Sequence, residues 1–183
     1  RRSSKPTMNS IEAPSLKSAA RKLLNSMNVT VEISNDCDYH WVPEEDVCAS
    51  WIKSAMDLVD TQRICSISLR FVDEAEAESL SSQFRGQAHA TNVLSFPVEL
   101  PAAVTENLQA EPLGDVVICP AILEREAGEQ GKTHQAHCAH LLIHGVLHLL
   151  GYQHDDNGRA EAMERLEINA LESLGFPNPY LVG

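Results

Sequence analysis

The chain has 183 residues, 43% of them hydrophobic and 22% charged, a composition typical of one folded domain rather than of a disordered tail. Its formal net charge of −12 argues against a protein that coats nucleic acid through general basicity, although positive charge can still be concentrated locally. Its apolar stretches fall far short of the roughly 18 residues that cross a membrane.

The N-terminal residues and the cysteines bear on how the chain is organised. We expect residues 1–10 to be a disordered N-terminal segment or a remnant of expression, and residues 11–183 to form a single domain. The polar and basic start is not followed by the apolar segment of a signal peptide. The five cysteines are odd in number and form no CxxC pair, which favours a reduced cytoplasmic protein.

The first half of the chain predicts alternating strands and helices. Apolar and polar residues alternate around residues 29–33 and again over Cys65–Phe71, as in strands that are buried on one face. Residues 43–60 predict a helix, because proline suits its first turn and apolar residues recur along one face. A shorter helix over residues 73–85 opens with a capping-box pattern and ends before Gly86.

The second half continues this alternation. Residues 92–98 predict a strand, and the near-continuous apolar run at 114–119 predicts a strand that is buried on both faces. The polar and acidic residues 101–112 between them are the best candidate for a long mobile loop. The interleaved elements predict a mixed α/β (α+β) fold, with helices packed on a mixed sheet of about four strands. The three remaining helices are expected over residues 120–129, 132–150 and 157–174.

A group of histidines is the most informative feature of the sequence. Five of the eight histidines lie between His134 and His148, and His154 follows closely. Residues four apart on a helix share one face and are about 6 Å apart along the axis, so His144 and His148 can direct two imidazoles at one ion. Gly151 can end the helix in the left-handed conformation and let the chain bring His154 to the same ion. Three protein ligands leave a fourth position for water, as in catalytic zinc sites.

His140 competes for a place in this site. It lies one turn before His144, but it is about 12 Å along the axis from His148, too far for one ion with zinc–nitrogen bonds of about 2.0–2.1 Å. Only the pair His144 and His148 adjoins the glycine turn, so His140 is interpreted as a packing residue or a hydrogen-bond partner of a ligand. A histidine-rich helix that binds nothing is disfavoured, because burying three imidazoles without partners costs free energy.

For the other histidines and the cysteines, roles other than metal binding are favoured. His134 and His137 are expected to be exposed or to cap their helix, and Cys138 is a less favoured alternative ligand. His89 either lines the cleft or is a plain loop residue. The cysteines predicted to be small core residues are Cys65 and Cys119.

Zinc on three histidines lowers the pKa of a coordinated water toward about 7, and the resulting hydroxide can attack a carbonyl or a phosphodiester. The spacing HxxxHxxGxxH is also that of metzincin proteases, which need a glutamate base directly after the first histidine. That position is Gly145 here, which weakens the peptidase hypothesis.

A phosphodiester needs a cation at its non-bridging oxygens, and Arg85 is the candidate for this catalytic role, with a solvated surface arginine as the alternative.

At these residues the chain resembles the YbeY family, the metal-dependent endoribonucleases of ribosomal RNA maturation. The family pattern HGxLHLxGYxH is matched by residues 144–154, and its arginine followed by T(D/N)VLSFP is matched by Arg85 and residues 91–97. The resemblance runs from about residue 29 to residue 180. Many members have aspartate in place of Gln153, and the loop at 101–112 looks longer than usual.

The resemblance implies a zincin-like site for one zinc ion at His144, His148 and His154, with Arg85 important for activity. It implies cleavage of single-stranded RNA, 3′-end maturation of small-subunit ribosomal RNA and ribosome quality control, and no membrane contact. The implied partners are the small ribosomal subunit and a ribosome-associated GTPase. The competing hypotheses are a metallopeptidase-like hydrolase and a noncatalytic, zinc-stabilised assembly factor.

Two chemical questions stay open at this stage. The general base is Asp115, Asp155, or no residue at all if the hydroxide acts alone. The physiological metal is also open, because imidazole ligands suit nickel, copper and iron as well as zinc.

Overall fold

The computed structural model describes residues 28–59 and 64–181, so the expectation for residues 1–10 lies outside the described residues. Within these ranges the four strands are β1 (Val29–Asn35), β2 (Cys65–Phe71), β3 (Val93–Pro97) and β4 (Glu111–Ile118). The six helices are α1 (Glu45–Val59), α2 (Glu74–Arg85), α3 (Ala102–Thr105), α4 (Pro120–Glu129), α5 (His134–Leu149) and α6 (Asn157–Ser173).

The strands form one mixed sheet in the order β1-β2-β4-β3. β2 pairs parallel with β1 and with β4, whereas β3 pairs antiparallel with β4 and lies at the edge. The predicted mixed fold with about four strands is therefore confirmed. The edge position of β3 matters for the site, because its outer side has no neighbouring strand among the described residues.

The sheet separates a large core from a small one. Val116 belongs to the large core, which the side chains of α1, α5 and α6 fill on one face of the sheet. Val117 points to the other face and joins Leu94 and residues of α2 and α4 in the small core. β4 is thus buried on both faces, as its apolar run predicted, while β2 alternates between buried and partly exposed residues.

Several element ends agree with the sequence signals. Asp73 caps α2 by accepting a hydrogen bond from the backbone N–H of Glu76, and Gly86 ends that helix with φ 66°. Thr133 caps α5 in the same way, so this helix begins after the predicted residue 132. Cys65 and Cys119 are buried, as predicted.

The predicted loop over residues 101–112 was wrong in its extent. It contains the short helix α3, and Glu111 and Pro112 already belong to β4, where they pair with β2. A register shift follows at once, leaving Leu113 as an extra residue in β4. Proline lacks an N–H and is tolerated in strands beside such bulges, which explains why a loop-like sequence forms strand here.

No helix of the described ranges is both long and apolar enough to span a membrane.

Candidate metal centre

The C-terminal half of α5 and the turn after it bring three histidines together. The Nε2 atoms of His144 and His148 are 3.1 Å apart, as expected for neighbours on one helix face. Gly151 has φ 92°, and the chain turns there so that the ring centroid of His154 lies 5.0 Å from that of His148 and 5.7 Å from that of His144. Each histidine offers a ligand atom within 4.8 Å of the other two.

Two of these imidazole rings are oriented by hydrogen-bond acceptors at their Nδ1 atoms. Nδ1 of His144 lies 2.7 Å from a carboxylate oxygen of Glu167, and Nδ1 of His148 lies 2.9 Å from the carbonyl oxygen of Tyr152. Since both partners can only accept, the Nδ1 atoms carry the hydrogens and donate them. The two Nε2 lone pairs then face each other at 3.1 Å, where they repel unless a cation lies between them. The donor set therefore fits a metal ion.

Glu167, which was not among the residues predicted for the site, lies behind the histidine rings. Its side chain is 1% exposed and also accepts hydrogen bonds from Nε2 of His140, at 3.0 Å, and from the hydroxyl of Tyr180. Burial raises the pKa of Glu167, but the hydrogen bonds from His140, His144 and Tyr180 outweigh this effect and lower it to about 2. Glu167 is therefore a carboxylate at neutral pH.

A signal for Glu167 was present in the sequence, although it is weak. The residue lies on the buried stripe of α6, between Met163 and the pair Ala170 and Leu171. A glutamate in the apolar stripe of an amphipathic helix needs a partner, since a buried charge is costly without one. Nothing local indicates which partner that is.

Helix α5 approaches the sheet very closely at Gly145. The Ser95 hydroxyl donates to the Gly145 carbonyl at 3.1 Å, and a Cβ atom on Gly145 would lie 2.9 Å from Cγ1 of Val116 and 3.0 Å from Oγ of Ser95. A side chain here requires Val116, Ser95 or α5 itself to shift. The position that carries the glutamate base in metzincins is thus tightly packed against the sheet.

The structure places the other histidines of α5 outside the cluster. The Nε2 atom of His140 bonds to Glu167. The expectation that His137 is exposed or caps the helix was wrong, because this residue is 3% exposed and its Nε2 is 2.8 Å from Glu126. The cap is Thr133, and position 137 faces inward toward α4. Burial lowers the pKa of His137 below its ordinary value.

Cys138, the less favoured alternative ligand, is fully buried and lies outside the three-histidine group. His89 is an exposed loop residue whose Nδ1 lies 3.3 Å from the neighbouring Ala90 carbonyl.

Of the two candidate bases, Asp155 forms an exposed ion pair with Arg159 at 3.1 Å, and Asp115 is an exposed residue of β4. Neither aspartate belongs to the histidine cluster.

Arg85 is the last residue of α2 and is exposed. Burial lowers the pKa of His148, with a smaller contribution in the same direction from the positive charge of Arg85. The catalytic role predicted for Arg85 stays a prediction.

Clefts open on two sides of the cluster. One, of about 390 Å³, is lined by His140 and His144 together with Asn92 and Tyr180. The other, of about 360 Å³, is lined by His148 and by residues of the β3 and β4 ends. Two of the three histidines of the cluster, His144 and His148, thus each line a depression.

The fold and this geometry define a class: a mixed α+β protein with a three-histidine cluster at the end of a long helix, against an edge strand. A family model described as Endoribonuclease YbeY matches residues 32–175. The Endoribonuclease YbeY of Nitrosococcus oceani is 45% identical over 154 residues, which cover 84% of this chain and 98% of that protein. The same-named protein of Xanthomonas oryzae pv. oryzae is 48% identical over 130 residues, which cover 71% and 80%.

The chain belongs to the YbeY family, as its histidine motif predicted. A solution structure of the protein TM1509 from Thermotoga maritima is similar in fold, with a TM-score of 0.50 and 22% sequence identity. That similarity covers 80% of this chain and 91% of the other. It supports the fold alone.

Proposed function

We propose that this chain is a zinc-dependent endoribonuclease that hydrolyses phosphodiester bonds in single-stranded RNA. The observation that carries the proposal is the convergence of ligand atoms from His144, His148 and His154 within 4.8 Å. Membership of a family whose members are named endoribonucleases supports RNA as the substrate. One zinc ion on these three ligands leaves a position open, as catalytic sites require.

The side chains around the cluster have distinct roles in this proposal. When bound, zinc supplies Lewis acidity that activates water near neutral pH. The Glu167 carboxylate and the Tyr152 carbonyl hold His144 and His148 in the tautomer that presents Nε2. Arg85 binds a non-bridging oxygen of the scissile phosphate and stabilises the charge that develops there.

We extend the proposal to 3′-end maturation of small-subunit ribosomal RNA and to ribosome quality control, with the small ribosomal subunit and a ribosome-associated GTPase as partners. The family resemblance supports this role. We expect cells that lack the protein to accumulate small-subunit RNA with an extended 3′ end, and a plasmid copy to restore the mature end. If a well-folded His154→Ala variant still restored maturation, the result would instead favour a noncatalytic assembly factor.

The central experiment combines metal analysis of the purified protein with RNA cleavage assays. We expect about one zinc per chain, no cleavage after chelation, and recovered cleavage when zinc is returned. Parallel samples reloaded with nickel, copper or iron identify the most active metal. Undiminished cleavage by protein from which all metal has been removed would contradict the proposal. Peptide hydrolysis is not expected, because the protease-base position is the closely packed Gly145.

A further inference from the structure

Phe84 is a large aromatic residue at the surface of the protein. It lies in the last turn of α2, directly before Arg85, and is 58% exposed. Its ring meets that of Phe96 edge to face, with centroids 4.9 Å apart and planes at 65°. Since Phe96 belongs to β3, the contact fixes the position of an exposed ring against the edge strand.

The edge strand connects this ring to the histidines. Ser95, which precedes Phe96 in β3, bonds to Gly145 of α5 on the opposite face of the sheet. β3 thus contacts Phe84 through Phe96 on one face of the sheet, and through Ser95 on the other face it contacts Gly145, the neighbour of His144. Arg85 shares the helix end with Phe84.

The surface next to Phe84 is open. The chain leaves α2 at Gly86 in the left-handed conformation, and a Cβ atom built there would meet nothing within 4 Å. The residues that follow, from Gln87 to His89, are exposed. Among the described residues no strand pairs with the outer side of β3, so a flexible single strand can reach the exposed ring along this edge.

We propose that Phe84 is a stacking platform for an unpaired base of the RNA substrate, close to the phosphate that Arg85 binds. This inference rests on the proposed nuclease function. The faces of every base can stack on an aromatic ring, whereas in a duplex the neighbouring base pairs cover them. Stacking also provides affinity without positive charge, which a chain of net charge −12 needs if it is to bind a polyanion.

The test measures KM and kcat of the zinc-loaded full chain on a single-stranded RNA oligonucleotide. Phe84→Leu keeps an apolar side chain and removes the aromatic face, and Phe84→Tyr keeps the face. Leu58→Ala is the matched control, because Leu58 is 45% exposed in the last turn of α1, a helix that contributes no residue to the histidine cluster. Thermal unfolding of each variant reports on folding.

For Phe84→Leu we expect KM to rise about tenfold, the effect of losing one stacked base, with kcat changed less than twofold. Phe84→Tyr and Leu58→Ala should resemble the parent. An unchanged KM for Phe84→Leu, in a preparation whose parent cleaves RNA, would overturn the inference and leave the nuclease function standing. So would a loss of kcat together with thermal stability, since that indicates a structural role. A parent that cleaves no RNA contradicts the proposed function itself.

Discussion

Glu167 joins side chains that are far apart in the sequence. Its two oxygens accept hydrogen bonds from His144 and His140 of α5 and from Tyr180 near the C-terminus. A carboxylate behind a ligating imidazole fixes the ring and makes its other nitrogen a better donor. The chain thus positions His144 through a residue that itself lies outside the histidine cluster.

Replacing this carboxylate should weaken metal binding. Glu167→Gln keeps the shape of the side chain but removes its charge, and we expect about 10- to 100-fold weaker zinc affinity. Competition with a chromophoric chelator measures the change. Glu164→Gln is the matched control, because Glu164 lies one turn earlier on the same helix and is exposed. Equal zinc affinities for the two variants would exclude the role given to Glu167.

Arg85 is expected to act on the reaction rather than on the metal. In Arg85→Ala the zinc content should stay at the parent value while kcat for RNA cleavage falls about 10²- to 10³-fold, as for removal of a group that stabilises a developing oxyanion. Arg125→Ala removes another exposed arginine, one paired with Glu74, and should leave cleavage unchanged. A metal-loaded Arg85→Ala protein with full activity would show that Arg85 is an ordinary surface residue.

Helix α5 owes its position to a close approach to the sheet. It has large buried residues on several sides, yet it carries glycine at the point nearest β3 and β4. The same glycine follows the first metal-ligand candidate, so the distance between helix and sheet influences where His144 lies. A glutamate at this position, where metzincins carry their base, would have to displace the side chain of Val116 or Ser95.

Adding one methyl group at this contact should destabilise the protein. Gly145→Ala places a Cβ 2.9 Å from the branched Val116 side chain, and we expect a loss of about 1–3 kcal/mol in the free energy of unfolding. Urea denaturation of zinc-free protein measures it. Gly128→Ala is the control, because a Cβ there meets nothing within 4 Å and alanine favours the helix by up to about 1 kcal/mol. Equal stability of the two variants would contradict the close contact.

The protein as a whole is acidic, which restricts how it can bind RNA. With 14 basic and 26 acidic residues, the average surface repels phosphate. Binding must then come from a few local cations, a metal and contacts to the bases. We therefore predict an affinity for RNA that depends only weakly on salt.

The salt dependence can be measured with zinc-free protein and a labelled single-stranded RNA. Each phosphate contact contributes about 0.7 to the slope of log Kd against log salt concentration, so we expect a slope of about 1–2. Arg85→Ala should lower it by about 0.7, whereas Lys53→Ala, which removes the partner of Asp57 on α1, should not change it. A slope of 4 or more would indicate an extended basic surface and contradict the prediction.

Local patterns were enough to predict the three-histidine cluster and most helices and strands. The spacing of His144 and His148 depends only on helix geometry, and the turn at Gly151 depends on its freedom to take a positive φ. Likewise, the apolar run of β4 needs no partner to be identified as a strand buried on both faces. These features arise from backbone periodicity over a few residues, which any short stretch of sequence contains.

Partnerships between distant residues were decided by the tertiary structure alone. The start of β4 at Glu111 depends on pairing with β2, and the inward direction of His137 depends on where α4 carries Glu126. The choice of Glu167 among many glutamates depends on which face of α6 meets α5. The physical reason is that burial and hydrogen-bond partners are properties of two surfaces in contact, and the residue pattern of one element specifies only one of them.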